Sequence, residues 1–187
     1  MRNKTKIRGL LCAAGVPLML MVQASPASGQ AATAEMNIQA NVQKACTLSA
    51  TGINFGTVNT LSATPTTANG SITVTCTAGT DWRTFADNGG LAAGARIDTG
   101  AGRAMTLTGG DADSPLLRYQ LYRDAAFLWD YGNAEDGGVE INNVQDAAST
   151  KNGLPVTKTI YGKVFPSQHM VAAGSYTDRV LISLHII

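Results

Sequence analysis

The stretch "GSYTDRVLISLHII" (residues 174–187) decides how the rest of the sequence is interpreted. From Arg179 onward it alternates like a half-buried β-strand, with one side formed by Val180, Ile182, Leu184 and Ile186. The sequence stops at Ile187, directly after this apolar run and without a turn or a polar tail. Because a strand at the edge of a sheet needs a partner or a blunted edge, we expect this strand to pair with a further segment.

A second alternating segment lies near the other end of the sequence, in "AEMNIQANVQKAC" (residues 34–46). Its apolar side consists of Met36, Ile38, Ala40 and Val42, and the residues between them are Asn or Gln. This alternation predicts a half-buried strand, with nothing N-terminal to it that could form a hairpin. It is either an ordinary first strand or a strand that pairs outside its own domain.

The N-terminal residues have the pattern of a secretory signal peptide. Four basic residues within positions 2–8 precede an apolar run from Leu10 to Val22, and small residues offer cleavage sites after Gly29 or Ala34. The apolar run is too short to span a bilayer. We therefore expect a signal peptide over residues 1–34, an N-terminal strand over residues 35–45 and one exported domain over residues 46–187.

Charge and cysteine content restrict the class of protein further. The predicted signal carries four of the 14 Lys and Arg and none of the 13 Asp and Glu, so the remainder is acidic by about three charges. This excludes a basic surface for nucleic acid. Two cysteines remain, Cys46 and Cys76, and in an exported chain the expectation is a disulfide. It would close a loop of about 30 residues, worth roughly 3–4 kcal/mol.

The composition and the hydrophobic pattern of the sequence predict an all-β domain. Glycine, Thr, Ser and Asn are abundant, apolar runs are short, and no segment keeps a 3.6-residue period. Loops are expected over residues 87–105 and 133–153, and a tight turn at Asn69-Gly70. The predicted strands cover residues 36–49, 53–58, 70–78, 82–87, 103–108, 116–123, 126–131, 156–165 and 175–187.

Catalytic, cofactor and metal signatures are absent from the sequence, so we predict no enzyme. There is no Gly-x-Ser-x-Gly elbow, HExxH motif, phosphate loop or paired-cysteine metal spacing. Of the two histidines, His185 has the outward parity of the last strand and His169 is expected in a loop. Asp111 and Asp113 lack the spacing of a calcium loop. Trp82 and Trp129 are expected in the core rather than as sugar platforms, and Arg103 and Met105 are expected to orient a loop and fill the core.

The sequence resembles the spore coat protein U domain family, the subunits of archaic-type chaperone–usher pili. The resemblance runs through nearly all of residues 35–187 and depends on the order of its motifs. They are "KACTLSATGINFGTV" (44–58), "GSITVTCT" (70–77), "GRAM" (102–105), "LLRYQLYRD" (116–124), "WDYGN" (129–133), "IYGKVFPSQ" (160–168) and "AAGSYTDRVLISLHI" (172–186).

This resemblance implies a pilin-type, incomplete immunoglobulin-like sandwich that lacks its last strand and is completed by a donor strand from another chain. The implied donor residues are Met36, Ile38, Ala40 and Val42. The acceptor groove would include Val180, Ile182, Leu184 and Ile186. The implied partners are neighbouring pilin subunits, in a homo- or heteropolymer, together with a periplasmic chaperone and an outer-membrane usher. The implied location is a surface fimbrium that serves adhesion or biofilm formation.

Two other interpretations remain open at this point. One is a monomeric secreted carbohydrate-binding sandwich that uses Trp82 or Trp129 and pairs residues 36–42 inside its own domain. The other keeps the polymer but places it in a protective coat. Because about 150 residues leave no room for a separate receptor-binding domain, a shaft or minor subunit is favoured over a tip adhesin.

Overall fold

The computed structural model describes residue 29 and residues 31–90, 103–111, 113–132, 139–144, 146 and 151–187. The chain divides into two units, residues 1–40 and residues 41–187. Every strand among the described residues lies in the second unit. The predicted signal peptide falls almost wholly on residues 1–28 and 30, which are outside the described residues.

The described part of the second unit contains nine strands, and all of the pairings between them are antiparallel. They are β1 (Cys46–Thr51), β2 (Thr66–Cys76), β3 (Trp82–Ala86), β4 (Arg103–Leu107), β5 (Leu117–Tyr122), β6 (Ile141–Asn142), β7 (Val156–Val164), β8 (Tyr176–Thr177) and β9 (Ile182–Ile186). One sheet has the order β1-β2-β7-β5-β4-β8 and the other the order β6-β3-β9. The fold is therefore all-β, as predicted. The described residues contain no helix that is long and apolar enough to cross a membrane.

The hydrophobic core follows from alternation along the two longest strands. In β2, Ile72 and Val74 are buried, and Ser71, Thr73 and Thr75, which alternate with them, are partly exposed. In β7, Ile160 and Val164 are buried in the same way. Trp82 from β3 is only 1% exposed and packs in the same cluster. The two sheets thus share one apolar interior, and the prediction that Trp82 is a core residue is confirmed.

The predicted turn at Asn69-Gly70 is wrong. Both residues lie inside β2, where Gly70 is paired with Ile160. A Cβ atom at Gly70 would stand 2.7 Å from the carbonyl oxygen of Thr51 and 2.7 Å from Cγ1 of Ile53. Glycine is therefore required because the neighbouring chain crosses β2 at this point, and no turn is made.

Two predicted N-terminal strands also differ from the structure. The strand predicted over residues 36–49 begins only at Cys46, and residues 36–45 have no regular secondary structure. The strand predicted over residues 53–58 is absent because Asn54 Oδ1 accepts the backbone N–H of Gly56, which has a positive φ of 64°. This local turn interrupts pairing.

The strand predicted over residues 126–131 is a loop that ends in a short bridge. The Asp124 carboxylate accepts the backbone N–H groups of Leu128 and Trp129, and Phe127 takes a left-handed φ of 56°. Only residues 130 and 131 form β-bridges. Side-chain capping of the backbone thus competes with strand pairing here.

The predicted strand over residues 175–187 is divided into β8 and β9, because the chain passes from one sheet to the other between them. Each of the two predicted loop ranges overlaps a strand, and the strand predicted over residues 103–108 is confirmed as β4. β4 begins inside the first, at Arg103, and β6 lies inside the second. Residues 91–102, 133–138, 145 and 147–150 of these loops are outside the described residues.

The predicted disulfide between Cys46 and Cys76 is confirmed. The two cysteines face each other directly at the start of β1 and the end of β2. The bond therefore anchors a strand that, among the described strands, is hydrogen-bonded to β2 alone.

Candidate functional site

An open groove lies between two strands that end their sheets. Among the strands that the structure describes, none pairs with the outer edge of β1 or with the outer edge of β9. The depression between them, here called the groove, has a volume of about 440 Å³. Its lining consists of Ala50, Thr51, Gly52, Ile53, Phe55, Met105, Tyr119, Leu121, Ile160, Tyr176, Thr177, Asp178, Arg179, Val180 and Ile182.

The floor of the groove is the hydrophobic core itself. Met105 from β4, Tyr119 and Leu121 from β5 and Ile160 from β7 line it. They belong to the buried cluster of the domain, and for Met105 this confirms the predicted core position. An apolar floor between two unpaired strand edges offers backbone hydrogen bonds and hydrophobic contacts together.

The four predicted acceptor residues are placed differently from one another. Val180 and Ile182 line the groove. Leu184 is half-buried and packs against the core, whereas Ile186 is 45% exposed and pairs with Trp82. The structure thus brings the first two to the groove wall, and the other two extend β9 away from it.

A second depression continues the groove. This outer cleft, with a volume of about 770 Å³, lies between residues 53–61 and residues 171–176. Ile53, Phe55, Met105 and Tyr176 line both depressions, so the two are contiguous. His169 lies at the outer cleft, in a loop as predicted.

A polar pair closes one part of the otherwise apolar groove. The hydroxyl of Tyr119 donates a hydrogen bond of 2.5 Å to Oδ2 of Asp178. Oδ1 of Asp178 accepts the backbone N–H groups of Gly90 and Arg179, each at 2.7 Å. Burial, together with the Asp178 carboxylate, raises the pKa of Tyr119, which therefore stays a neutral donor. Asp178 thereby fixes the segment that joins β8 to β9.

Sequence analysis missed this pair. Tyr119 occupies an apolar position of its strand, as a core residue would. Asp178 lies in a segment that was predicted to be one continuous strand, over residues 175–187. The sequence offered one signal, the acidic residue in "SYTDR" (residues 175–179). A carboxylate is unusual inside a strand that is otherwise half-buried, so it could have indicated a break in the strand at this point.

A buried guanidinium group, that of Arg103 in β4, joins this strand to neighbouring segments. Arg103 is 2% exposed and donates to the backbone oxygens of Asp87 (2.7 Å) and Tyr131 (3.0 Å) and to the side chain of Gln120 (2.6 Å). Burial lowers its pKa, but these acceptors satisfy its donors. The prediction that Arg103 orients a loop agrees with its bond to Asp87.

The predicted donor residues are exposed. Met36 is 83%, Ile38 87% and Val42 79% exposed, and Ala40 is exposed as well. No strand occurs within residues 31–45. Apolar side chains in regular alternation, without strand pairing in their own chain, are typical of a segment that pairs elsewhere.

Other candidate residues form no chemical site. Asp111 is capped by Ser114, whose hydroxyl lowers the pKa of the carboxyl, and the described residues hold no cluster of metal-ligating side chains. His185 is exposed and packs its ring edge-to-face on Phe85. Trp129 is 53% exposed, so its predicted core position is wrong; the Arg123 guanidinium lies 5.5 Å from its ring centre.

Comparison with known proteins agrees with this architecture. The spore coat protein U domain model matches residues 32–183. "Protein U" of Myxococcus xanthus is 31% identical over 191 residues, covering 97% of each chain. A crystal structure of the CsuC–CsuE chaperone–tip adhesion subunit pre-assembly complex, from archaic chaperone–usher Csu pili of Acinetobacter baumannii, contains a chain with a similar fold. That similarity has a TM-score of 0.50 at 20% identity and covers 76% of this chain and 40% of the other. The chain belongs to the spore coat protein U domain family.

Proposed function

We propose that this protein is a structural subunit of a surface pilus that is assembled by the chaperone–usher route through donor-strand exchange. The groove of one copy receives residues 36–42 of the next copy, which complete the sandwich. The observation that carries the proposal is the apolar groove between two unpaired strand edges, in a chain with an exposed alternating segment.

Hydrophobic burial provides the driving force for this exchange. Transfer of Met36, Ile38 and Val42 from solvent into the groove contributes on the order of 5–9 kcal/mol, before the cost of ordering the segment. Backbone hydrogen bonds to an open edge add affinity that does not depend on sequence, and the alternating side chains fix the register. Ala40 suits a shallow part of the groove.

The two ends of the domain favour one direction of insertion. At the disulfide end, which holds Cys46–Cys76, Lys44 Nζ donates to the Ile187 carbonyl oxygen, so the chain leaves the domain beside the end of β9. The groove leads to the opposite end, the groove end, formed by residues 59–64 and 165–171. A donor strand antiparallel to β9 places the donating domain at the groove end, which leaves the receiver's own segment free for the next copy.

A contact of this kind joins different surfaces of identical molecules. Such a head-to-tail contact does not close on itself and generates a fibre. An exposed apolar groove would need a chaperone that covers it before assembly. An outer-membrane usher would be the second partner, because the proposed fibre is assembled at the cell surface. The displayed fibre would serve adhesion or biofilm formation.

The proposal is tested on material sheared from the cell surface. Strand-exchanged fibres are kinetically stable, so unboiled detergent samples should give a ladder that boiling reduces to a single monomer band. Deletion of residues 35–45 should abolish the ladder. As a control, replacement of Asn37, Gln39 and Asn41 by Ser, on the polar side of the segment, should retain it. A single monomer band from wild-type protein, with or without boiling, would refute the proposal.

The exposed ring of Trp129 favours a second candidate, a secreted carbohydrate-binding module. That function requires a monomer whose groove is filled by its own chain. The lack of strand structure over residues 31–45 supports the pilus subunit instead. A protective coat would use the same polymer, and immunogold labelling distinguishes a continuous layer from filaments.

A further inference from the structure

A third depression lies around the exposed ring of Trp129. This surface, here called the Trp129 cleft, has a volume of about 530 Å³ and shares no lining residue with the groove or with the outer cleft. Trp129 and Tyr161 supply its aromatic surface. Its charged and amide side chains are those of Arg123, Asp124, Glu140, Asn142, Asp146 and Lys158. The proposed strand exchange uses none of these residues.

The loop that carries Trp129 holds the backbone of this residue in a fixed position. The backbone N–H of Trp129 donates to the Asp124 carboxylate at 2.8 Å, and its carbonyl oxygen accepts the backbone N–H of Arg123 at 3.0 Å. Phe127, two residues earlier, has a φ of 56°, a left-handed value that is uncommon for an aromatic residue and that recurs at binding sites. The indole of Trp129 is nevertheless 53% exposed. Because the backbone beneath the ring is already ordered, a ligand that covers the ring binds at a small entropic cost.

The charges of the cleft favour a ligand without net charge. Two cationic and three acidic side chains line it, which gives a net charge of −1. Lys158 Nζ is paired with Asp146 Oδ2 at 3.1 Å, and Asn142 Nδ2 donates to Glu140 Oε1 at 3.0 Å. A nucleic acid or an acidic polysaccharide would bring further negative charge to these carboxylates, which costs free energy.

We propose that the Trp129 cleft binds a neutral saccharide, with one sugar ring stacked on the indole. A pyranose ring carries a face of C–H groups, which is complementary to an exposed aromatic ring, and a rim of hydroxyl groups, each of which both donates and accepts hydrogen bonds. The cleft presents both counterparts for these hydroxyls. The Glu140 and Asp146 carboxylates accept hydrogen bonds, and the Lys158 ammonium group donates them. Such bonds to hydroxyl groups are charge-assisted and therefore stronger than neutral ones.

This saccharide site does not rest on the proposed function, because its lining is separate from that of the groove. A monomer and a fibre would both display it. In the proposed fibre the cleft recurs once in every copy, so that sites which are individually weak act together on a polysaccharide surface.

Retention on saccharide-coated beads tests this site. Protein isolated from the surface of expressing cells is applied to beads that carry cellohexaose, maltohexaose, mannohexaose or chitohexaose, all neutral, and to beads that carry polygalacturonate, an acidic polymer. Competition by the free hexasaccharide gives the apparent affinity. Trp129→Ala removes the ring, and Trp129→Phe keeps an aromatic surface. Leu128→Ala is the matched control, because Leu128 is 73% exposed on the same loop but does not line the cleft.

We expect at least one neutral hexasaccharide to retain the wild-type protein, and polygalacturonate not to retain it. Trp129→Ala should weaken the apparent affinity roughly tenfold or more, whereas Trp129→Phe should keep most of it and Leu128→Ala should change it by less than about twofold. Absence of retention on all four neutral beads would overturn the proposal. Equal retention of Trp129→Ala and wild type would also overturn it, as would capture by polygalacturonate that is lost in Arg123→Ala.

Tryptophan fluorescence gives a second measurement that needs no substitution. The chain has two tryptophans, and Trp82 is only 1% exposed, so a change in emission on adding the retained hexasaccharide reports on Trp129. We expect the emission to shift to shorter wavelength and to saturate, because a stacked sugar excludes water from the indole. Unchanged emission at saturating hexasaccharide would contradict the stacking. The boiling-sensitive ladder is examined on the same samples, so a failure of strand exchange is distinguished from a failure of saccharide binding.

Discussion

At the scale of single residues, close packing against the central strands explains where side chains are forbidden. Gly70 in β2 faces the carbonyl oxygen of Thr51 and the side chain of Ile53, and both residues line the groove. Gly162 in β7 is similarly covered, since a Cβ atom there would stand 2.7 Å from the ring of Phe55. Because these two glycines have no side chain, residues 51–55, which follow β1, can pack directly against β2 and β7 and form a wall of the groove.

Replacement of Gly70 by Ala is expected to destabilise the domain. The added methyl group cannot be accommodated without moving the backbone at Thr51, and overpacking of this kind costs about 1–3 kcal/mol. The measurement is urea denaturation, followed by circular dichroism, of a chain that begins at residue 35. Gly52→Ala is the control, because a Cβ atom there meets nothing within 4 Å. Equal midpoints for the two variants would contradict the packing argument.

At the scale of elements, β1 is held to its sheet from one side in the part of the chain that the structure describes. It pairs with β2, and the Cys46–Cys76 bond fixes the two strands at one end. Its opposite edge forms a wall of the groove. The disulfide therefore adds a covalent link to a strand that pairs with one neighbour among the described residues.

Replacement of both cysteines by Ser is expected to lower the free energy of unfolding by roughly 3–4 kcal/mol, the value for a closed loop of about 30 residues. The measurement is again urea denaturation, with and without reductant. Reductant should destabilise the wild-type chain and leave the double variant unchanged. A wild-type midpoint that does not respond to full reduction would show that β1 does not need the bond.

The limits of sequence analysis are also clearest at the scale of elements. Alternation located β7 well and found the second half of β2, because the side chains there face a shared core. Alternation alone does not tell which partner a strand has, so residues 36–45 were predicted as a strand although they have no regular structure in the single chain. Asn69-Gly70 has the local signature of a turn, and only the tertiary approach of Thr51 reveals why glycine is required. The groove depends on residues from six strands and could not be located from any one segment.

At the scale of the whole molecule, Tyr131 connects the two sheets. Its backbone N–H donates to the Leu121 carbonyl oxygen of β5, and its hydroxyl donates to Oγ1 of Thr84 in β3 at 3.0 Å. The side chain is completely buried. Burial raises its pKa from 10.0 to about 12, because an ionised phenol would be poorly solvated there.

The raised pKa makes stability depend on alkaline pH. Below pH 10 the phenol is protonated in both the folded and the unfolded state, so its contribution is complete. Between pH 10 and about 12 the unfolded state loses its proton first, and the free energy of unfolding falls by up to about 1.4 kcal/mol per pH unit from this group. Burial of Tyr119 acts in the same direction.

The variant Tyr131→Phe tests this dependence on pH. We expect it to be less stable than the wild type at pH 8, because Thr84 Oγ1 no longer accepts a hydrogen bond from the Tyr131 hydroxyl. We also expect it to lose less stability than the wild type between pH 10 and 12. Urea midpoints at pH 8, 10, 11 and 12 measure both effects, and parallel pH profiles for wild type and variant would show that Tyr131 ionises as freely in the folded chain as in the unfolded one.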